Sequence, residues 1–351
     1  MRTYTYHPLI LLVIILSTVS CENELPFNIK DNPPKLVMNA FINADSLTNV
    51  LFLNLTGKDN STHIENATVE VRVNGQIRET LRPLPPETDY DQQCRFNMNG
   101  TFSPGDVVRI DALTDDGKYH AWAEVTVPQR LDEIENIDTL TVPLTQNGFT
   151  QDYMRYKITF RDRPNEENYY RIVVDKQLTL WGYNHEEGGE DYIYWTRQLG
   201  YSFIGREDVV LTDGQPSTGD DEDNGLFDTA KNIYGVFDDS RFRNSSYTMT
   251  VYNSPSVNSS SGSDGYGYYD SLDVIIRLLS ITETEYYYLK ALNLVDSDAY
   301  DETINEPIKY PSNVHGGTGM VGISTEVTQT IHIISSSHSK GNLAPPVHVY
   351  Q

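Results

Sequence analysis

Cysteine is nearly absent from this 351-residue chain, with Cys21 and Cys94 the only two. That excludes a disulfide framework of the kind that staples small secreted domains. Long apolar runs are also missing: the longest, Leu9 to Leu16, has eight residues, whereas a spanning helix needs about 20. Basic residues are scarce, 26 against 50 acidic, for a formal net charge of −24. Such a surface repels phosphates, so nucleic acid is not an expected partner, although cations or a basic protein patch could be drawn to it. Histidine is sparse and scattered. No G-x-S-x-G occurs, and His185-Glu186-Glu187 lacks a second histidine at helical spacing, which leaves serine and zinc hydrolysis without a motif.

What is present begins at the start of the chain. Arg2 precedes the apolar run, which gives way to Ser17-Thr18-Val19-Ser20-Cys21. A basic start, a short apolar core and a small residue before the cut match an export signal over residues 1–20, and Cys21 is the expected lipidation site. The usual bacterial lipoprotein box carries leucine where this chain has Thr18, while Ser20 fits. At about 0.8 kcal/mol per buried methylene, two or three acyl chains would hold the protein durably on a membrane. The competing reading is an ordinary secreted protein, in which case a Cys21 to Cys94 bridge becomes possible. Otherwise Cys94 reads as a small buried apolar residue rather than a catalytic thiol.

Removal of the signal leaves a chain long enough for two domains of ordinary size. Residues 21–34 are polar, acidic and proline-containing, a tether with a reach of about 40 Å when extended. Residues 35–128 are expected to form an N-terminal β-sandwich of immunoglobulin-like or transthyretin-like form. Its short β-like runs are Leu36 to Ile42, Val50 to Thr56, Thr68 to Val73 and Gln76 to Leu81, then Val107 to Leu113 and Tyr119 to Val127. Asn74-Gly75 tolerates positive φ at both turn positions and marks a hairpin. Residues 129–334 are expected to form a larger β-rich domain with one packed helix. Leu131 to Leu140 reads as a connector, and strands are expected at Tyr153 to Phe160, Tyr169 to Val174, Asp191 to Thr196, Val209 to Thr212, Tyr247 to Tyr252 and Leu272 to Ile281. Thr282 and Glu285 form a capping box that opens a helix to about Val295, with Tyr288, Leu292 and Val295 on one face. The loops Gly214 to Gly225 and Asn253 to Asp270 are expected to be mobile and exposed, and 335–351 a loose tail.

Candidate sites are few. Trp181, Tyr183, Tyr192, Tyr194 and Trp195 are the densest aromatic group and could stack on a glycan, or simply occupy ordinary strand positions. Asp220, Glu222 and Asn224 alternate oxygen side chains before Gly225 as a calcium loop does, but Lys231 stands where a bidentate glutamate belongs. Gly317-Thr318-Gly319-Met320-Val321-Gly322 fits G-x-G-x-x-G as a string. The sequence from Ile323 reads as β and not as the required helix, so a tight turn against the sheet is expected there instead of a nucleotide site. No cofactor is expected. Ser46, Thr139, Thr229 and Ser271 lie in Asp-Ser/Thr-apolar triplets similar to an O-glycosylation signal known in Bacteroidetes.

The segments Pro34 to Asn39, Asp116 to Pro128, Phe160 to Val174 with Asn168-Tyr169-Tyr170, Ile281 to Lys290, and Glu306 to Gly322 with Ser312-Asn313-Val314 resemble an uncharacterised family of Bacteroidetes envelope lipoproteins. The resemblance implies an outer-membrane lipoprotein commonly encoded beside a TonB-dependent transporter, with no catalytic residues to carry over. It also makes Glu22 and Glu24, directly after Cys21, similar to signals that send such lipoproteins to the cell surface rather than the periplasmic face. The combined expectation is a non-enzymatic accessory or binding partner of such a transporter. The alternative is a surface protein that binds a glycan or other ligand on its own.

Overall fold

The computed structural model describes residues 33–57, 64, 66–86, 94–146, 148–184, 191–217, 231–253, 269–296 and 308–334, with the backbone alone at 178–184, 191–201, 269–271 and 334. The unit described begins at Lys35. It is mainly β, with three sheets and one helix among the described residues.

Alternation of period two builds the first layers. In β1 (Leu36–Asn43), Leu36, Met38, Ala40 and Ile42 are buried while the intervening residues are not. β2 (Thr48–Leu55) and β5 (Cys94–Asn99) continue the same sheet. Against it lies a four-stranded sheet in the order β4 (Gln76–Leu81), β3 (Ala67–Val73), β6 (Val107–Thr114), β7 (His120–Thr126). Positive φ at Asn74 (51°) and Gly75 (80°) closes the β3–β4 hairpin as its sequence predicts. The two inner faces share one apolar core that includes Phe96, Met98, Val69, Ile110 and Ala123.

A second core repeats the plan. β8 (Ile134–Gln146), β9 (Phe149–Arg161) and β13 (Ser246–Asn253) form a three-stranded sheet. It faces β10 (Tyr169–Asn184), β11 (Asp191–Tyr201), β12 (Val236–Asp238) and β14 (Tyr269–Ile281). Leu131 to Leu140, expected as a connector, instead lies largely in β8. β8 is an edge strand exposed along most of its length, so it carries no apolar alternation to read. Val209 to Thr212, expected as a strand, is a turn. The buried Asp208 accepts from the backbone N–H of Val210 (3.0 Å) and Leu211 (3.1 Å) and holds the chain in a helical bend.

The last strand joins the two halves. β16 (Val321–Ile334) pairs in parallel with β1 from Val321 to Ser324, then antiparallel with β14 from Thr325 to Ile334. One face of β16 serves both cores, since Val321 and Ile323 enter the first while Val327, Ile331 and Ile333 pack on the second. The result is a nine-stranded sheet in the path β11-β10-β14-β16-β1-β2-β5, with the two smaller sheets packed on its one face.

The approach to β16 explains the glycine-rich string. His315 and Trp122 exchange both backbone hydrogen bonds (2.8 and 3.0 Å) at the edge of β7, and two residues later β15 (Gly317–Thr318) pairs with Leu36 and Val37 of β1. The chain thus passes from one sheet of the first sandwich to the other within three residues, which demands close backbone contact. A Cβ at Gly319, where φ is 112°, would lie 2.2 Å from the Met38 carbonyl oxygen. Asn313 holds the far end by donating to the Val321 carbonyl (2.7 Å) and accepting from its N–H (3.0 Å).

On the opposite face of the large sheet lies α1 (Glu283–Asp296). Its buried stripe is Glu285, Tyr286, Leu289 and Asn293 rather than Tyr288, Leu292 and Val295, with Tyr288 and Leu292 flanking it. Thr282 caps the helix by accepting from the Glu285 N–H (3.3 Å). The reciprocal half of the capping box does not form. The Glu285 side chain turns inward onto Gly322 of β16, where its Oε2 is buried with no hydrogen-bond donor. Burial pushes its carboxyl up to about 7, against the opposing pull of the Arg171 charge.

Two measurements check these arguments. Gly319→Ala combines left-handed strain of about 1–2 kcal/mol with overpacking of about 1–3 kcal/mol. It should lower the urea midpoint clearly more than Gly117→Ala, where φ is 68° and the space for a Cβ is open; equal losses would refute the close-packed crossover. The folded state also binds the Glu285 proton more tightly than the unfolded chain. Stability contributed by the neutral acid is therefore complete below pH 4.5 and is lost as the pH rises to about 7, a fall of roughly 3 kcal/mol. Glu285→Gln should flatten that part of the stability–pH curve.

Candidate functional site

The sheet β4-β3-β6-β7 is apolar inside, and its outer face carries an open groove of about 580 Å³ lined by Glu70, Arg72, Arg109, Asp111, Leu113 and His120 among others. That volume lies within the usual range for small-ligand sites, about 300–1,000 Å³. The register arranges the groove in rows across β3, β6 and β7: Thr68, Leu113 and His120; then Glu70, Asp111 and Trp122; then Arg72, Arg109 and Glu124. Acid faces acid in the second row and base faces base in the third, which cross-strand pairing alone disfavours.

Pairing along each strand compensates for this. Arg72 Nη2 donates to Glu70 at 2.6 Å. Arg109 donates through Nε (2.8 Å) and Nη2 (3.0 Å) to both oxygens of Asp111, whose other neighbour is His120 Nε2 at 3.5 Å. The Arg109 hydrogen bonds hold the Asp111 carboxyl below its ordinary range. Arg109 also lies over the Trp122 ring, its Cζ 3.9 Å from the ring centroid, and that ring stacks on His315 at 4.1 Å and 20°. Cation–π attraction and the bidentate bond together fix the guanidinium plane. These residues escaped the sequence reading. Glu70-Val71-Arg72 and Arg109-Ile110-Asp111 are reversed in order, a signal visible only once β3 and β6 are known to be antiparallel neighbours.

The residues singled out by sequence are distributed differently. The β10–β11 register sets Trp181 opposite Tyr194, Tyr183 opposite Tyr192, and Trp195 opposite Leu180; their side chains lie outside the described residues. Cys21, Thr229, Asp220, Glu222 and Asn224 also lie outside them, as do most of the two polar loops. Ser46 and Thr139 are on described strands or turns, and Ser271 is described by backbone alone.

Two of the quoted motifs prove to be internal fastenings. Asn168 is buried, and its amide donates to Asp162 (3.1 Å), the Arg163 carbonyl (2.8 Å) and Asp239 (3.3 Å), while the Tyr170 hydroxyl donates to Asp162 at 2.7 Å. Asp162 and Asp239 are buried and use their oxygens to tie the turn before β10 to the turn before β13. Along α1, the buried Tyr286 donates to Asp238 (3.0 Å) and accepts from Lys290 (3.1 Å), and burial raises its hydroxyl to about 12. Tyr287 is exposed. Tyr288 sits between Phe41 and Tyr310, with ring centroids 6.1 and 6.0 Å away.

A family described as a domain of unknown function, DUF4249, matches residues 22–330. The chain belongs to that family. No curated protein matches it. The matched span contains the groove, both cores, α1 and the crossover into β16, so the internal fastenings described above all belong to the family domain.

Cys94 points into the first core, free and 3% exposed, and burial pushes its thiol up to about 11. The thiolate is the reactive species. Native protein lacking Cys21 should therefore leave Ellman's reagent uncoloured at pH 8 and react only after unfolding; fast native reaction would refute the burial.

Proposed function

We propose that this chain is a lipid-anchored envelope protein, held at the outer membrane through acylated Cys21. In this reading it works without catalysis of its own, as an accessory or binding partner of a TonB-dependent transporter. The observation that carries the anchoring is in the sequence, where Arg2 and the apolar run Leu9 to Leu16 lead directly into Ser17-Thr18-Val19-Ser20-Cys21.

The resemblance to Bacteroidetes envelope lipoproteins supports the transporter as partner and, with Glu22 and Glu24, favours the cell surface over the periplasmic face. A surface for protein contact is available beside α1, where Phe41, Tyr287 and Tyr310 are 46%, 49% and 41% exposed and the half-buried Tyr288 joins Phe41 to Tyr310. Tyrosine is enriched where binding energy concentrates, because its large rigid ring loses little rotamer freedom on contact.

The reading is checked by crosslinked pull-down of the tagged protein from detergent-solubilised envelopes, with Cys21→Ala as control. One transporter should be recovered in near-equal amount, lost in the control and reduced by Phe41→Ala with Tyr287→Ala. Recovery of the lipoprotein alone would overturn the partnership.

A further inference from the structure

We infer that the groove on the outer face of the four-stranded sheet is a binding site for a neutral saccharide. The chain as a whole carries −24, yet the groove sets Arg72 and Arg109 among Glu70, Asp111 and Glu124, so it presents no field of a single sign. An anion would meet a guanidinium whose charge Asp111 already offsets, and a cation would meet two arginines in the next row. A hydroxyl group has no charge for either to oppose. It donates and accepts at once, so it can bridge a carboxylate in one row and a guanidinium in the other without disturbing their pairing.

The geometry matches that requirement. Each carboxylate lies against the guanidinium of the next row, Glu70 2.6 Å from Arg72 and Asp111 2.8 and 3.0 Å from Arg109, so a single hydroxyl can reach both members of a pair. Valences remain for such a ligand. Glu70 is bonded through Oε2 and Arg72 through Nη2, which leaves Glu70 Oε1 and Arg72 Nη1 outside that bond on two residues that line the groove. Arg109 bonds Asp111 through Nε and Nη2, leaving Nη1. The neighbouring row supplies Leu113, 46% exposed, as an apolar pad for the C–H face of the sugar, with the His120 ring beside it.

The arrangement is also held in advance of any ligand. Arg109 is fixed by Asp111 on its edge and by Trp122 on its face, and Trp122 is fixed in turn by His315. His315 is bonded through its backbone to Trp122 at the mouth of the β15 crossover. A surface ion-pair ladder made only for solubility has no need of this third layer, and its like-charged cross-strand neighbours would be a liability. Fixed donors and acceptors lower the ordering cost of binding a flexible polyol.

This inference goes beyond the transporter reading and does not depend on it, since a protein that fails to recover a transporter can still retain a glycan. The test uses the mature chain from residue 22 in affinity gels cast with amylopectin, galactomannan, xylan or dextran, and with dextran sulfate as the anionic comparison. Retardation by at least one neutral polysaccharide is expected, weakened at least tenfold in Arg109→Ala and in Glu70→Gln. Glu70 is 36% exposed at its side chain, so its variant keeps the fold even where loss of the Arg109 stack does not. Three results would each overturn the proposal: retardation by dextran sulfate alone, no retardation in any gel, or retention that survives both groove variants and falls only in Trp195→Ala.

Discussion

The structure depends on one strand that hydrogen-bonds in two directions at once. Through Ser324, β16 is the parallel neighbour of β1; from Thr325 it is the antiparallel neighbour of β14. Neither neighbour can be moved without breaking the other ladder, so the two sandwiches share a sheet instead of a linker. The handover point is fully buried at Thr325, whose hydroxyl donates to the Pro128 carbonyl at 3.4 Å. Asp45 secures the same corner by accepting from the Glu326 N–H at 3.2 Å and pairing with Arg130. Residues from the beginning, middle and end of the domain thus meet within one turn of chain. Such long-range closure slows folding, and it requires residues without a Cβ where the backbones pass most closely, at Gly317 and Gly319.

That crossover also supports the groove. The backbone that leaves β7 at His315 and reaches β1 at Gly317 presents the His315 ring to Trp122, and Trp122 to Arg109. A glycine-rich segment that looks like a loop in sequence is therefore a structural seam, and one of its side chains braces a surface on the other side of the sheet. The opposite face of the large sheet follows a different logic. There α1 lies on Val173, Val236, Leu279 and Ile281, and Glu285 fills the space over Gly322 that a side chain would otherwise occupy. A buried carboxyl with no donor is costly when ionised, and it links the seating of the helix to the protonation of a single group.

Much of the first sandwich was legible from sequence because its strands have one wet face and one dry face. Val69-Glu70-Val71-Arg72-Val73 before Asn74-Gly75 announces both the strand and the turn, and the alternation of Leu36 to Ile42 survives in the burial of every second residue. Legibility failed where that asymmetry is absent. β8 is exposed along most of its length. Cys94 to Asn99 does alternate, burying Cys94, Phe96 and Met98, but it carries none of the β-branched residues that mark a strand. Val209 to Thr212 is apolar and β-branched yet bends, since a buried aspartate offers its backbone a better partner than a ladder does.

By itself, then, the sequence determined the acidic balance, the mainly β class and the position of α1. Each of these follows from local composition or from a period that repeats within a few residues. Only the tertiary structure decided which strands lie side by side, and with that the rows of the groove. Glu70 and Asp111 are 41 positions apart, and nothing in either neighbourhood specifies the other. Their meeting is a property of register, which is set by the burial of Val69, Val71, Ile110 and Ala112 on the far side of the same strands.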